Sequence, residues 1–529
     1  MIPSKLIDKA KQFITRDQPF GPTYSERIRD KAVADLLFDR ENKLYRALDE
    51  RPAIILGRRG SGKTAYLDSA YFLSPKDIII EIRQEKLFER VLIAVERLVR
   101  TAVLTESVAD VWFTLLMIVA LQELVSHEKR LGTRLSVVRD YLAKLGVREG
   151  ERADDTLWSI VDMLSERLKD KPVGIVAQAI KLIDNVTFDM AIAEATTALR
   201  KTGLQCVLLL DSLESYPFDI PNITHAVRGL LKCVGAFNSG DFPFESRFCL
   251  PAELYHTFVA ISSAPLKDFE RSITLHWHPK ELLFIAAKRI ALYLELYEPA
   301  TYGTIQNLQP DKKQDALKIF YSIFPEEVQN RLGFDEGCLA YLLRHTQLLP
   351  RQLLRLLNSI AAVNRQLDQP FFKVRAEAVV KGVANEEQLI AAEIFSGFAA
   401  RYHTAQKCCE TCVPELPFTF DHGQLHKVFT RYGKKQFEKD DYDEFKRMLI
   451  EIGAVGRVIG KTELYVEGQF EYTEPHKLAV SVDDELCLHP IFAGAFSVKN
   501  GRQGLSKFTV YPYGANPEIN DWRTITHGR

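Results

Sequence analysis

The sequence has little that would tie it to a membrane, an oxidising compartment or a polyanion. Its most apolar stretch, Val111 to Val125, is too short to cross a bilayer and has Glu106, Asp110 and Glu123 at its ends, so it reads as a buried helix. The opening MIPSKLIDKAKQF has no apolar core of the signal-peptide kind. Only eight cysteines occur in 529 residues, mostly scattered, and Cys206, Cys233, Cys249 and Cys487 lie in or beside apolar runs. A chain of this size builds its core without disulfides, and the expected location is reducing and cytoplasmic, away from any membrane. Charge of one sign is missing too: 69 Lys plus Arg against 70 Asp plus Glu leave a net charge of -1. That balance excludes a polybasic coat for nucleic acid or acidic lipid. No repeat, low-complexity tract, nucleophile elbow or dinucleotide fingerprint occurs. His225, His256, His276, His278, His345 and His489 have no acid or cysteine at catalytic spacing and read as structural histidines.

What is present is ordinary globular composition, 46% hydrophobic and 26% charged, in a length that suits roughly three or four domains. A helical pattern over residues 25–50 (Ile28, Val33, Leu36, Leu37, Leu44, Leu48) precedes the short apolar run Ala53-Ile54-Ile55-Leu56, which reads as a buried parallel strand. A second strand follows at Ile78–Ile82. Residues 85–200 are patterned as helix almost throughout, with Leu157, Val161, Leu164 and Leu168 at helical spacing. Cys206 to Leu210 is the next strong strand, followed by strand expectations at Arg247–Leu250, Thr257–Ile261 and Ile273–Trp277. Strands alternating with helices predict an α/β fold on a parallel sheet.

From Phe418 the pattern changes. Two helices, around Leu425–Phe429 and Tyr442–Ile452, lead to strands at Glu463–Val466 and Gln469–Tyr472 and a hairpin over Lys477–His489 turning at Asp483-Asp484. Helices followed by such strands describe a winged helix. The expected order is an N-terminal helical segment (1–45), a P-loop core (46–279) with its helical insertion at about 85–200, a helical lid (280–397), a winged helix (398–498) and a loose tail (499–529).

The chemistry is concentrated in Gly57-Arg58-Arg59-Gly60-Ser61-Gly62-Lys63-Thr64, which matches G-x-x-x-x-G-K-[ST] at every fixed position between a strand and a helix. Glycines allow main-chain N–H groups to surround an anion, and the following helix, from Lys63, Thr64 and Ala65, directs its positive end there. Lys63 has the reach for the β- and γ-phosphates, and Thr64 offers a hydroxyl to magnesium. Gly57, Arg59, Gly60, Ser61, Gly62, Lys63, Thr64 and Ala65 are therefore the expected ATP-binding residues. Asp211 follows four apolar residues at the end of a strand, where a carboxylate can hold the magnesium-bound water; a plain strand-end cap is the alternative. Ser212 occupies the position directly after it, where ATPases usually carry a water-activating Glu. Either Glu214 takes that role or hydrolysis is slow.

With these residues in view, the chain resembles the AAA+-related ATPases of the origin-recognition and STAND groups over roughly residues 30–495. Phe38-Asp39-Arg40-Glu41-Asn42-Lys43-Leu44 is similar to the F-x-G-R-E-x-x-L opening of many of them, with Asp39 where glycine is usual. GRRGSGKT and LLLDSLE resemble their nucleotide and magnesium motifs. Leu349-Pro350-Arg351-Gln352-Leu353-Leu354 resembles the second sensor motif, whose arginine meets the γ-phosphate. The resemblance implies an ATP- and Mg2+-dependent switch, with Arg351 as sensor, that controls oligomerisation or an effector partner, in bacterial anti-phage defence or signalling. The physical reading of Arg351 leaves two roles open: a guanidinium reporting the γ-phosphate, or one that caps its own helix. Arg271 reads as a solvated turn residue rather than an arginine finger for a neighbouring subunit's nucleotide.

The alternative is a DNA-associated loader or initiator gripping duplex through the winged helix. Charge disfavours it: between Glu415 and Phe496 there are 15 acidic and 10 basic residues, although Lys434, Lys435, Lys439, Lys446 and Arg447 cluster. Cys409-x2-Cys412 followed by His422-x3-His426 approaches zinc-finger spacing, but the gap between pairs is short and the histidines sit at helical period.

Overall fold

The computed structural model describes residues 2–24, 28, 30–40, 52–74, 76–82, 105–147, 150, 152–168, 185–211, 223–237, 242–262, 264–473, 478–497 and 509–516. They form two units. One holds Leu44–Gly57 and Lys63–Thr274; the other holds Met1–Lys43, Arg58–Gly62 and Leu275–Arg529.

The first unit carries a five-stranded sheet in the order β2-β3-β4-β1-β5. Its strands are β1 (Ile54–Gly57), β2 (Ile78–Ile82), β3 (Cys206–Leu210), β4 (Phe244–Pro251) and β5 (Ser272–Leu275). The β1–β4, β2–β3 and β3–β4 pairs are parallel. Every residue of β1, β3 and β4 is buried, which is why these strands read as continuous apolar runs: helices cover both faces. β4 accommodates the buried pair Glu245–Arg247, 2.9 Å apart, within that run. The register sets Gly57 beside Pro251 and Ile82 beside Leu210, so the carboxyl ends of the strands form one edge, the place where open α/β sheets bind ligands.

Helices Thr105–Ser126, Ser136–Leu145, Ala153–Leu168 and Asn185–Thr202 stand between β2 and β3. The stretch Val108–Ser126 is long and apolar enough to cross a membrane by length and composition, yet 83% of it is buried inside this unit. It is a core helix: apolar all round, packed on helix Ile223–Phe237, with the Trp112 indole N–H donating to the Ala226 carbonyl at 2.8 Å. One expected strand is a helix instead. Thr257–Ile261 lies in helix Tyr255–Ile261, because the preceding Ala252–Leu254 turn already ends β4 and leads into helical backbone. Its apolar residues cover one helix face, with Phe258 and Ile261 buried.

In the second unit, helices Pro279–Tyr297, Lys313–Tyr321, Cys338–Arg344, Pro350–Gln366 and Ala376–Phe398 stack beside a small antiparallel pair, β6 (Glu327–Gln329) and β7 (Asp335–Gly337). Helix Pro279–Tyr297 starts with proline in its first turn, and Glu281 accepts the His278 N–H at 2.9 Å. Arg289 pairs with Asp39 at 3.1 Å, which ties the N-terminal segment to these helices. At Gly382 helices Pro350–Gln366 and Ala376–Phe398 pack closely: a Cβ there would lie 2.7 Å from Ile360 Cα. Gly382→Ala is therefore expected to destabilise the unit by about 1–3 kcal/mol, read as a lower thermal midpoint. An unchanged midpoint would mean the helices separate freely.

The same unit ends in helices Ala405–Cys412, His422–Val428 and Tyr442–Glu451 and a second sheet, ordered β12-β10-β9-β11-β8. These are β8 (Thr419–Phe420), β9 (Val455–Lys461), β10 (Tyr465–Gln469), β11 (Leu486–Leu488) and β12 (Thr509–Pro512). Three expectations change here. The strands at 463–466 and 469–472 are one strand, β10, with a register shift at Glu467/Gly468; Phe470 and Tyr472 follow in a turn closed by Thr473 N–H to the Phe470 carbonyl. Of the hairpin expected over 477–489, Lys477 lies outside the described residues, and 478–489 hold one strand, β11, inserted between β9 and β8, while Asp484 caps a loop by accepting the Ser481 N–H at 2.6 Å. The expected tail contributes β12, which pairs in parallel with β10. Edge pairing of this kind depends on a distant strand and leaves no local pattern.

His489, which caps helix Pro490–Ala495, is fully buried. Its Nδ1 accepts the Ile491 N–H at 3.1 Å, so Nε2 carries the proton and donates to the Tyr472 hydroxyl at 2.7 Å. Burial, with Arg58 and Arg344 adding to it, pushes His489 down to about 3. The neighbouring buried His345 is held well below its usual value for the same first reason. Depressed histidine values stabilise the fold fully above the ordinary imidazole value and are lost as pH falls towards the folded one. For His489 the loss at pH 5 is expected to be about 2 kcal/mol. His489→Gln should flatten the decline in denaturation midpoint between about pH 7.5 and about pH 5. The same slope in the variant would assign the decline to other groups.

Candidate nucleotide site

β1 delivers the chain to Gly57 at the carboxyl edge of the sheet, and helix Lys63–Asp68 carries it away. Between them Gly60 and Gly62 adopt φ of +86° and +96°, left-handed conformations that favour glycine. The turn is closed by Ser61 N–H to the Arg58 carbonyl at 3.0 Å. Lys63 is only 5% exposed, and its ammonium folds back over the loop to donate to the Gly57 carbonyl at 2.9 Å. Ala65 lies in the first turn of the helix and accepts the Ser69 N–H.

β3 ends at Leu210, so Asp211 emerges at the same edge as Gly57. The Thr64 hydroxyl donates to Asp211 Oδ2 at 2.7 Å, and Asp211 is 9% exposed. Thr64 and Asp211, separated by 147 residues in sequence, thus form a joined hydroxyl–carboxylate pair. These are hard oxygen donors of the type magnesium takes, and the pair fits that ion. Glu214 lies outside the described residues. A carboxylate that sequence reasoning missed, Glu253, is buried two residues beyond Pro251, the register partner of Gly57. No motif marks it; only the β1–β4 pairing brings it to the loop's edge.

Residues 58–62 group with the second unit, and there the loop is held from several sides. Trp277 donates its indole N–H to the Ser61 carbonyl at 2.8 Å. The Arg351 main-chain N–H approaches the Gly60 carbonyl at 3.3 Å, and a Cβ on Gly60 would sit 3.0 Å from Arg351 Cβ. Arg351 is thus brought to the loop by its backbone. Its guanidinium donates to Glu393 at 2.8 Å and lies 4.4 Å over the Tyr24 ring, while its buried Nε has no hydrogen-bond partner among the described residues. Arg59 donates to the Ser396 hydroxyl at 2.7 Å. Arg58 was missed entirely: its side chain is 9% exposed and leaves the loop for Gln347 and Glu451. Arg271 is exposed, with its carbonyl accepting the Ala53 N–H.

All eight cysteines are free and buried. Burial pushes Cys408 up to about 11 and Cys412 to about 12, and raises Cys409 well above its usual value. Among the described residues no group of three His, Cys, Asp or Glu side chains is placed to hold a metal ion.

A parallel sheet whose first strand runs through a glycine-turned loop into a helix, with an acidic residue directly after β3, the strand on the far side of β4 from β1, defines the fold of a P-loop nucleoside triphosphatase. No protein-family model matches the chain, and no curated protein is significantly similar to it. Among solved structures it is similar to the ORC2 protein of Aeropyrum pernix. With the ADPNP–ADP complexes the identity is 12% and the TM-score 0.34, over 89% of this chain and 92% of that one. With the ADP form the identity is 12% and the TM-score 0.27, over 87% and 88%. At these TM-scores the fold class rests on the chain's own sheet order and loop.

Proposed function

We propose that this protein binds ATP with magnesium at Gly57–Thr64, hydrolyses it, and acts as a nucleotide-controlled switch on its own assembly or on a partner protein. The observation that carries the reading is the 2.7 Å contact of Thr64 with Asp211 beside a loop turned by two left-handed glycines. Main-chain N–H groups of the loop bind the phosphates, and Lys63 exchanges its Gly57 carbonyl for phosphate oxygens. Thr64 and Asp211 hold the magnesium ion, which when bound offsets charge on the phosphates. Arg351, already set against Gly60, exchanges Glu393 for the γ-phosphate and so couples nucleotide to the lid helices. Glu253 or Glu214 positions the attacking water.

The C-terminal helices and sheet are read as a winged helix that contacts protein rather than DNA. The specific support is that three of the five clustered basic residues are already paired: Lys434 with Asp440, Lys439 with Glu444 at 2.7 Å, and Lys446 with Asp443 at 3.2 Å. Ile459, Leu464 and Val482 are meanwhile exposed. Such a surface releases few counterions from DNA.

The test is light scattering on size-fractionated wild type and Lys63→Ala, each with ATP-magnesium, ADP, or ATP plus a short duplex. Assembly of wild type with ATP alone, absent in Lys63→Ala, supports the switch. A size change that requires duplex supports a DNA-associated ATPase instead, and an unchanged monomer throughout removes assembly as the output.

A further inference from the structure

In the P-loop pattern the residue after the first glycine is unrestricted, yet Arg58 is among the most constrained side chains in the second unit. Its Nη1 donates to Gln347 Oε1 at 2.9 Å and its Nη2 to the main-chain carbonyl of Glu451 at 2.7 Å. The guanidinium lies 5.4 Å from the Phe398 ring centroid and 5.7 Å from that of Tyr472. Glu451 is the last residue of helix Tyr442–Glu451, so Arg58 supplies a cation and a donor to a carbonyl at that helix's C-terminal end.

Its partner is anchored in turn. Gln347 Nε2 donates to the Ile452 carbonyl at 2.8 Å, and Gln347 N–H donates to Gln352 Oε1 at 2.6 Å, at the start of the helix that carries Arg351. The chain then turns at Gly453, φ +75°, where a Cβ would lie 2.6 Å from Gln347 Nε2. Glu451 itself accepts from Arg401 at 2.9 Å and from the Tyr402 hydroxyl at 2.8 Å. Residues 347, 398, 451 and 472 come from separate segments, and all four touch the side chain of Arg58.

We propose that Arg58 is a positioning residue that transmits the conformation of the phosphate-binding loop to the C-terminal helix-and-sheet module. A buried guanidinium with two directed hydrogen bonds and two aromatic faces cannot leave its niche without stranding donors. When the loop backbone adjusts around phosphates, the Arg58 Cα moves and the end of helix Tyr442–Glu451 moves with it. The glycine turn at 453 and the β9 strand that follows carry the displacement into the sheet. The proposal rests on the ATP-binding reading and names how that site reports to the rest of the chain.

The experiment is hydrogen–deuterium exchange by mass spectrometry on the full chain, free and with saturating ATP-magnesium, for wild type, Gln347→Leu and Arg58→Met. Fluorescent-ATP titration sets saturation for each protein. In wild type, ATP should change uptake in peptides spanning 442–472. In Gln347→Leu and Arg58→Met that change should shrink at least several-fold while peptides over Cys206–Asp211 still respond. Wild-type binding of ATP with no change at 442–472 overturns the link alone, whatever the variants do. A full wild-type response in both variants overturns it as well. No ATP binding by wild type overturns the nucleotide reading and the link together.

Discussion

Lys63→Ala should weaken ATP binding by about 100-fold or more, equivalent to about 2.7 kcal/mol, and bring hydrolysis to background. The ammonium is buried at the loop and donates to the main-chain carbonyl of Gly57, while the loop is also held by Trp277 on the Ser61 carbonyl and by the Ser61 N–H on the Arg58 carbonyl. The fold should therefore survive, with a thermal midpoint close to wild type, and the loss should be confined to the ligand. Asp211→Asn is the informative companion. It keeps a hydrogen-bonding group against Thr64 but removes the charge, so nucleotide affinity should lose its dependence on magnesium while metal-free binding persists. Equal affinity of wild type and Lys63→Ala would mean that the loop does not bind phosphate.

Gly60→Ala carries the second large effect, because two costs coincide at one atom. A side chain at φ +86° is strained by about 1–3 kcal/mol, and the new Cβ would stand 3.0 Å from Arg351 Cβ and 3.3 Å from its Cδ. Arg351 lies in the first turn of helix Pro350–Gln366, so it has little freedom to retreat. ATP affinity is expected to fall about 10- to 100-fold, which corresponds to about 1.4–2.7 kcal/mol. Gly132→Ala is the control: its φ is +61°, but nothing lies within 4 Å of the added Cβ. Calorimetric titration of both variants separates the costs. If Gly60→Ala binds ATP as tightly as Gly132→Ala does, the close approach of Arg351 has no bearing on the nucleotide.

The sequence by itself determined the α/β class, the position of the glycine-turned loop between β1 and its helix, and the place of Asp211 directly after a buried strand. Each is written in local chemistry: an apolar run for a strand covered on both faces, glycines where φ is positive, a carboxylate directly after a buried strand. Local pattern was insufficient where a residue's surroundings come from distant chain. Thr257–Ile261 carries strand-like residues but sits where the chain has just left β4 through a tight turn, and it continues as helix. Thr509–Pro512 has no signal of its own and becomes a strand only because β10 offers an edge. Glu253 reaches the loop's edge through strand register alone. Arg58 is the clearest case. At an unrestricted motif position its type predicts nothing, and its burial depends on Gln347, Phe398, Glu451 and Tyr472, brought together by tertiary packing from four other segments. Short-range sterics and period specify elements and motifs; which buried polar groups find each other is decided by the closed fold, because each needs partners that only the folded chain supplies.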